Sequence, residues 1–82
     1  MVTVRYFAAA RAAAGVETET VQVPPGATVD ILLKTVRARH GDEFGRVLDR
    51  CSFLLDEVAV RDRELSLHDG ALLDMLPPFA GG

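Results

Sequence analysis

Only one stretch of this chain is built for a long helix, and its apolar side needs a second layer to cover it. Val29, Leu32, Leu33 and Val36 recur at i, i+3, i+4 and i+7, which sets one apolar stripe along a helix. Thr28 suits the N-cap, and Asp30 falls in the first turn beside the positive end of the helix dipole. Arg37, Arg39 and His40 gather at the negative end, and Gly41 closes it. Pro24-Pro25-Gly26 separates this segment from what precedes it.

The flanking segments are short. Residues 2–7 (VTVRYF) alternate as a half-buried strand does. Residues 8–14 (AAARAAA) are helix formers with Gly15 placed as a C-cap, room for one or two turns. Residues 17–23 become strand-like toward their end, and 43–49 read as a second short helix. Residues 51–55 and 58–60 read as two strands joined at Asp56-Glu57. A tight hairpin there prefers Asn-Gly or Asp-Gly, so a looser turn is expected. Leu67-His68-Asp69-Gly70 signals a turn before a last strand over 71–76. The expected fold class is α+β, a mixed sheet of four to five strands packed on one main helix in two layers. No internal repeat is present, and no linker precedes residue 77. Residues 1–76 are therefore expected to form one domain, with 77–82 as a tail.

Composition narrows the function. Eighty-two residues make one small domain, and 49% apolar content suffices for a core. The net charge of −3 argues against nucleic acid, whose phosphates call for Lys and Arg, and favours a partner with a basic face. Cys51 is the single cysteine, so no disulfide framework exists and a cysteine-based metal site is not expected. A reducing, cytoplasmic setting fits that usage. No apolar run approaches the roughly 20 residues that span a bilayer. Arg5 and Arg11 precede any acid, as in a targeting segment. Arg11 interrupts the apolar stretch, however, and Val2, Val4 and Tyr6 alternate as a strand would.

The end of the sequence carries the chemistry. It reads Pro77, Pro78, Phe79, Ala80, Gly81, Gly82. Glycine lacks a Cβ, so a partner's backbone can close around Gly81 and Gly82 from every side. Each proline ring fixes φ near −65° and stiffens the exit. Phe79 is costly to leave in water unless a partner covers it. Six residues reach at most about 20 Å when extended. A frayed terminus is the ordinary reading of Gly-Gly. A stiff spacer, one apolar anchor and a carboxylate free of side chains fit a tail made for insertion into another active site.

These features carry a family resemblance that spans the chain. A first strand running into Phe7-Ala8-x-x-Arg11-x-x-x-Gly15, a capped central helix, the Leu67-x-Asp69-Gly70 turn and the Pro77-Pro78-Phe79-Ala80-Gly81-Gly82 end resemble the ubiquitin-like sulfur carriers of the MoaD/ThiS family. Gly-Gly is common to all ubiquitin-like proteins. Phe-Ala-x-x-Arg combined with Pro-Pro-x-x-Gly-Gly is more specific to the molybdopterin synthase branch. Two positions depart from the pattern: Ala71 stands where an acid often follows the turn glycine, and Asp56-Glu57 replaces a Gly-containing hairpin.

The resemblance implies a β-grasp fold and a sulfur-carrying terminus. An E1-like, MoeB-like enzyme would use ATP to adenylate the Gly82 carboxylate, and a sulfur donor would convert it to a thiocarboxylate. No cofactor or metal would be bound by the chain itself. The tail would then enter a MoaE-like large subunit of molybdopterin synthase, in an assembly of two small and two large subunits. There it would donate sulfur to a pyranopterin precursor. Gly82 would be a carried reagent, with Gly81, Ala80, Phe79, Pro78, Pro77, Arg11 and Phe7 facing the partner. Alternatives are a carrier for thiazole, cysteine or tRNA thiolation, a ubiquitin-like protein modifier, and a plain binding module.

The remaining chemistry-bearing residues read as structural. Cys51 lies in an apolar segment with no helix N-terminus after it, so a buried, inert thiol is expected. His40 and His68 lack partners at metal-ligand spacing. Arg11 is either a solvated charge or a tail-facing one. Phe7, taken alone, reads as core at the end of the first strand, while Phe79 does not. Arg61-Asp62-Arg63-Glu64 is mixed in sign and reads as a solvated turn.

Overall fold

A computed structural model of the chain describes residues 1–78. Eight elements follow in order: β1 (Val2–Tyr6), α1 (Ala8–Ala14), β2 (Thr18–Val21), α2 (Val29–His40), α3 (Asp42–Leu48), β3 (Ser52–Leu55), β4 (Val58–Ala59) and β5 (Leu72–Leu76). The strands form one sheet in the order β2-β1-β5-β3-β4. β1 and β5 are parallel, and every other pairing is antiparallel. The last strand thus enters between the first and the third and becomes the centre of the sheet. No helix among the described residues is long and apolar enough to cross a membrane.

Period-two burial sorts the sheet into two faces. Val2, Val4 and Tyr6 of β1, Leu73 and Met75 of β5, and Phe53 and Leu55 of β3 point into the core. The α2 stripe of Val29, Leu32, Leu33 and Val36 covers them, with Phe44 and Leu48 of α3 alongside. Each of these large side chains contributes roughly 1.5–3 kcal/mol by leaving water. Helix α2 is capped as its sequence demands, Thr28 Oγ1 accepting from Ile31 N–H at 3.3 Å. Helix α1 stops at Gly15, which takes φ 79 and donates its N–H to the Arg11 carbonyl. Gly45 is buried in α3, and a Cβ there would stand 2.6 Å from Nη1 at the flexible end of Arg37 from α2, which would have to shift.

Asp56-Glu57 departs from expectation. Leu55 pairs with Val58, so the turn is the tightest two-residue hairpin and not a looser one. Asp56 (φ 48) and Glu57 (φ 71) both adopt the left-handed conformation that this turn requires. Asp56 holds it from both sides of its own residue. Its N–H donates to the Leu72 carbonyl at 2.8 Å. Its Oδ1 accepts from the Leu72 N–H at 3.0 Å, and Oδ2 meets His68 Nε2 at 2.7 Å. These bonds replace what glycine supplies conformationally.

A polar clasp joins three elements at the other end. Tyr6 Oη of β1 donates to Glu19 of β2. His40 Nε2 at the end of α2 lies 2.5 Å from Glu19 Oε1, and Arg39 donates to Oε2 at 3.2 Å. The Tyr6 ring packs edge-on against His40 and Phe44. Burial raises the Glu19 pKa, but the bonds from Tyr6, His40 and Arg39 outweigh it and hold the carboxyl below its usual range. Burial, then Glu19, pushes the Tyr6 hydroxyl far above its ordinary value.

Candidate functional site

The chain leaves the sheet at Leu76, the last residue of central strand β5. Parallel β1 sets Tyr6 beside Met75, and the Phe7 N–H donates to the Met75 carbonyl at 3.3 Å. Antiparallel β3 sets Ser52 beside Leu76, with Cys51 immediately before it. The exit is therefore framed by the end of β1 and the start of β3. Pro77 is half-buried and Pro78 exposed. Phe79, Ala80, Gly81 and Gly82, the remaining predicted site residues, lie outside the described residues.

Phe7 corrects one expectation. It is 38% exposed and lies outside the core, because β1 ends at Tyr6 and Phe7 becomes the N-cap residue of α1. The partner-facing reading is the one its exposure permits. Ala8, next in the chain, takes φ 50, a conformation that costs an L-residue roughly 1–2 kcal/mol. Arg11 follows one turn later, its N–H on the Phe7 carbonyl, and its side chain is exposed. Arg11 lines a shallow groove with Ala8, Ala12, Gly15, Val16 and Glu17.

The sheet face turned away from the helices carries Leu72, Asp74 and Leu76 on β5, Ser52 and Leu54 on β3, and Thr3 and Arg5 on β1. Leu54, Leu72 and Leu76 on this face are half-buried, with Leu76 at the exit and Leu72 at the far end of β5. Asp74 lies between Leu72 and Leu76. Its residue is 5% exposed, and Arg5 holds it with Nε on Oδ1 at 2.6 Å and Nη2 on Oδ2 at 2.8 Å. The hydrogen bond to Asp74 raises the Arg5 pKa further. The Arg5 guanidinium carbon also stands 5.7 Å from the Phe7 ring centroid. Asp74, Arg5 and Phe7 thus form one connected path from the mid-sheet to the exit. Sequence analysis did not single out Arg5 or Asp74. The available signal was an acid in the otherwise apolar ALLDML strand.

Cys51 and the histidines have structural partners. Cys51 Sγ donates to the Val47 carbonyl at 3.2 Å, and burial pushes its thiol up to about 11. It is protonated and unreactive at neutral pH. His40 belongs to the Glu19 clasp, and His68 to the Asp56 hairpin. Among the described residues, no three His, Cys, Asp or Glu side chains converge as metal ligands.

Comparison with known proteins gives this arrangement a family. The ThiS family model matches residues 4–82. A molybdopterin synthase sulfur carrier subunit from Chlamydomonas reinhardtii is 36% identical over 83 residues, spanning 99% of this chain and 98% of that protein. A Pyrococcus furiosus protein assigned as molybdopterin converting factor subunit 1 superposes with a TM-score of 0.85 at 29% identity, over 95% of this chain and 97% of its own. Small archaeal modifier protein 1 of Haloferax volcanii gives 0.78 at 26% identity, over 95% and 97%. With a family match over nearly its whole length, a full-length relative above 30% identity and a β-grasp fold shared with both structures, the chain belongs to the ThiS family of ubiquitin-like sulfur carriers.

Proposed function

We propose that this chain is the sulfur-carrier small subunit of molybdopterin synthase, and that Gly82 is the atom-bearing end of the carrier. A carboxylate with a pKa near 3.5 is ionised at neutral pH and does not react with nucleophiles. An E1-like enzyme would join the Gly82 carboxylate oxygen to the α-phosphorus of ATP and release pyrophosphate. A sulfur donor would then attack the acyl carbon and displace AMP, leaving a thiocarboxylate. Its sulfur is the nucleophile for a pyranopterin precursor held in a MoaE-like large subunit. The working assembly would be two small and two large subunits.

The observation that carries this reading is the exit of Pro77-Pro78 from the central strand, between Phe7 and Ser52. A central strand is anchored on both sides, so whatever follows it starts from a fixed point. Half-buried Leu76, paired with Ser52, is at that point and offers a partner an apolar contact. The full-length identity to the Chlamydomonas reinhardtii sulfur carrier supports the same reading. The test is reconstitution with the large subunit and precursor. The thiocarboxylated chain is expected to yield the dithiolene product, and a chain lacking Gly82 none. Product formation without Gly82 would overturn the reading.

A second reading, a protein modifier joined through Gly82 to lysines, is favoured by the similarity to small archaeal modifier protein 1. It requires the same adenylate and differs in the acceptor. Gly82-linked isopeptides in lysates of the native host would support it.

A further inference from the structure

Phe7 is an exposed aromatic residue on a pinned backbone. Its N–H donates to the Met75 carbonyl at 3.3 Å, and its carbonyl accepts from the Ala10 N–H at 3.0 Å and the Arg11 N–H at 3.4 Å. Its dihedrals, φ -120 and ψ 149, are extended. The alternation of β1 therefore runs one residue past Tyr6 and sets Phe7 on the outer sheet face with Thr3 and Arg5. With the backbone held on both sides, only the side-chain torsions decide where the ring stands.

Arg5 supplies the contact that restrains those torsions. Its guanidinium carbon stands 5.7 Å from the Phe7 ring centroid, within cation–π reach. A long, partly solvated arginine would not hold such a contact alone, because its rotamer freedom opposes it. Asp74 removes that freedom. It takes Arg5 Nε at 2.6 Å and Nη2 at 2.8 Å, from a place in central strand β5 where its own side chain is 7% exposed. An ion pair with a buried partner is a weak source of stability, since two apolar residues of similar volume often do as well. What the pair supplies that apolar residues would not is a planar cation fixed beside Phe7.

We infer that Arg5, held by Asp74, positions the Phe7 ring as a preformed anchor for the large subunit. The identity of that partner rests on the carrier reading; the positioning of the ring does not. Phe7 is 38% exposed, and among the described residues it is the one aromatic side chain with a large exposed surface. Aromatic anchors carry a disproportionate share of binding energy at protein interfaces. A loose side chain must be ordered when a partner binds, which costs affinity, and a ring already held avoids that cost. Arg5 and Asp74 act through Phe7, so neither needs to touch the partner.

The test reads the ring and the partner separately. NMR relaxation of the Phe7 ring carbons is measured in the free full chain, with buried Phe44 as the internal reference. Arg5→Lys keeps a positive charge for Asp74 but lacks the planar fork. Arg5→Met combined with Asp74→Leu removes the cation and leaves no unpaired charge. Both chains should lose order at the Phe7 ring and keep it at Phe44. Their affinity for the large subunit, read by titration calorimetry, should fall by about two- to tenfold. In a chain already carrying Phe7→Leu, adding Arg5→Lys should weaken binding no further. Unchanged Phe7 ring order in both variants would overturn the inference. So would an equal loss of affinity from Arg5→Lys with and without Phe7→Leu, because Arg5 would then act on the partner directly. Failure of the original chain to bind the large subunit would count against the carrier reading, and the ring measurement in the free chain would still decide the positioning.

Discussion

Arg5 on the first strand and Asp74 on the last are 69 positions apart and form a two-pronged ion pair on the outer sheet face, at 2.6 and 2.8 Å. The pair locks the central strand to its parallel neighbour two residues before the tail begins. Removing Arg5 leaves a carboxylate in a site where its side chain is only 7% exposed. Arg5→Met should destabilise by about 2–3 kcal/mol, less than a fully buried pair because Arg5 is partly solvated. Replacing both residues with apolar ones (Arg5→Met with Asp74→Leu) should recover most of the loss. Urea midpoints of the three chains decide this.

The Tyr6–Glu19–His40 clasp predicts a second stability effect. Tyr6→Phe keeps the ring in the core and removes one donor from Glu19. A hydrogen bond to a charged acceptor is worth roughly 1.5–3 kcal/mol, and a loss of that order in the urea midpoint is expected. An unchanged midpoint would mean that His40 and Arg39 satisfy Glu19 alone.

The same contacts set a pH window. Hydrogen bonding to Asp56 raises the His68 pKa above 6.5, so this contribution is complete below 6.5 and is lost as pH rises through the folded value. Hydrogen bonds from His68 and the Leu72 N–H lower the Asp56 pKa below 3.8. Its contribution is complete above 3.8 and is lost as pH falls through the folded value. Glu19 behaves in the same sense below 4.5. Thermal midpoints measured across pH should decline on both sides of this window. His68→Gln should flatten the alkaline limb, while an acid limb persists through Glu19 and Asp69, whose carboxyls are also held below their usual range.

The left-handed turn at Asp56-Glu57 makes a prediction of opposite sign. Glu57 at φ 71 has no side-chain hydrogen bond among the described residues, whereas Asp56 anchors Leu72 and His68. Glu57→Gly should stabilise by about 0.5–1 kcal/mol. Asp56→Gly should not, because it removes the anchor along with the strain. The two midpoints should move in opposite directions.

Much of this molecule was legible in its sequence where one local rule acted alone. The α2 stripe, Thr28 cap and Gly15 stop each needed only helix geometry, and all three are present. The hairpin was misjudged because its glycine-free turn is held by Asp56 bonding to Leu72, sixteen residues on. Phe7 was misjudged as core because the strand ends one residue earlier, at Tyr6, and the chain turns there into α1. Arg5 and Asp74 were passed over for a related reason. Each is an ordinary charge in its own segment, and the pair exists only once β5 inserts beside β1.

The most direct test of the central claim is the intact mass of the full chain after incubation with an E1-like activating enzyme, ATP and a sulfur donor. The original chain should gain the mass of one sulfur less one oxygen, located at Gly82. Gly82→Ala should remain folded and gain far less, since the added methyl must enter a channel shaped for none. An unchanged mass for the original chain, in a mixture that thiocarboxylates another carrier of this family, would contradict the account.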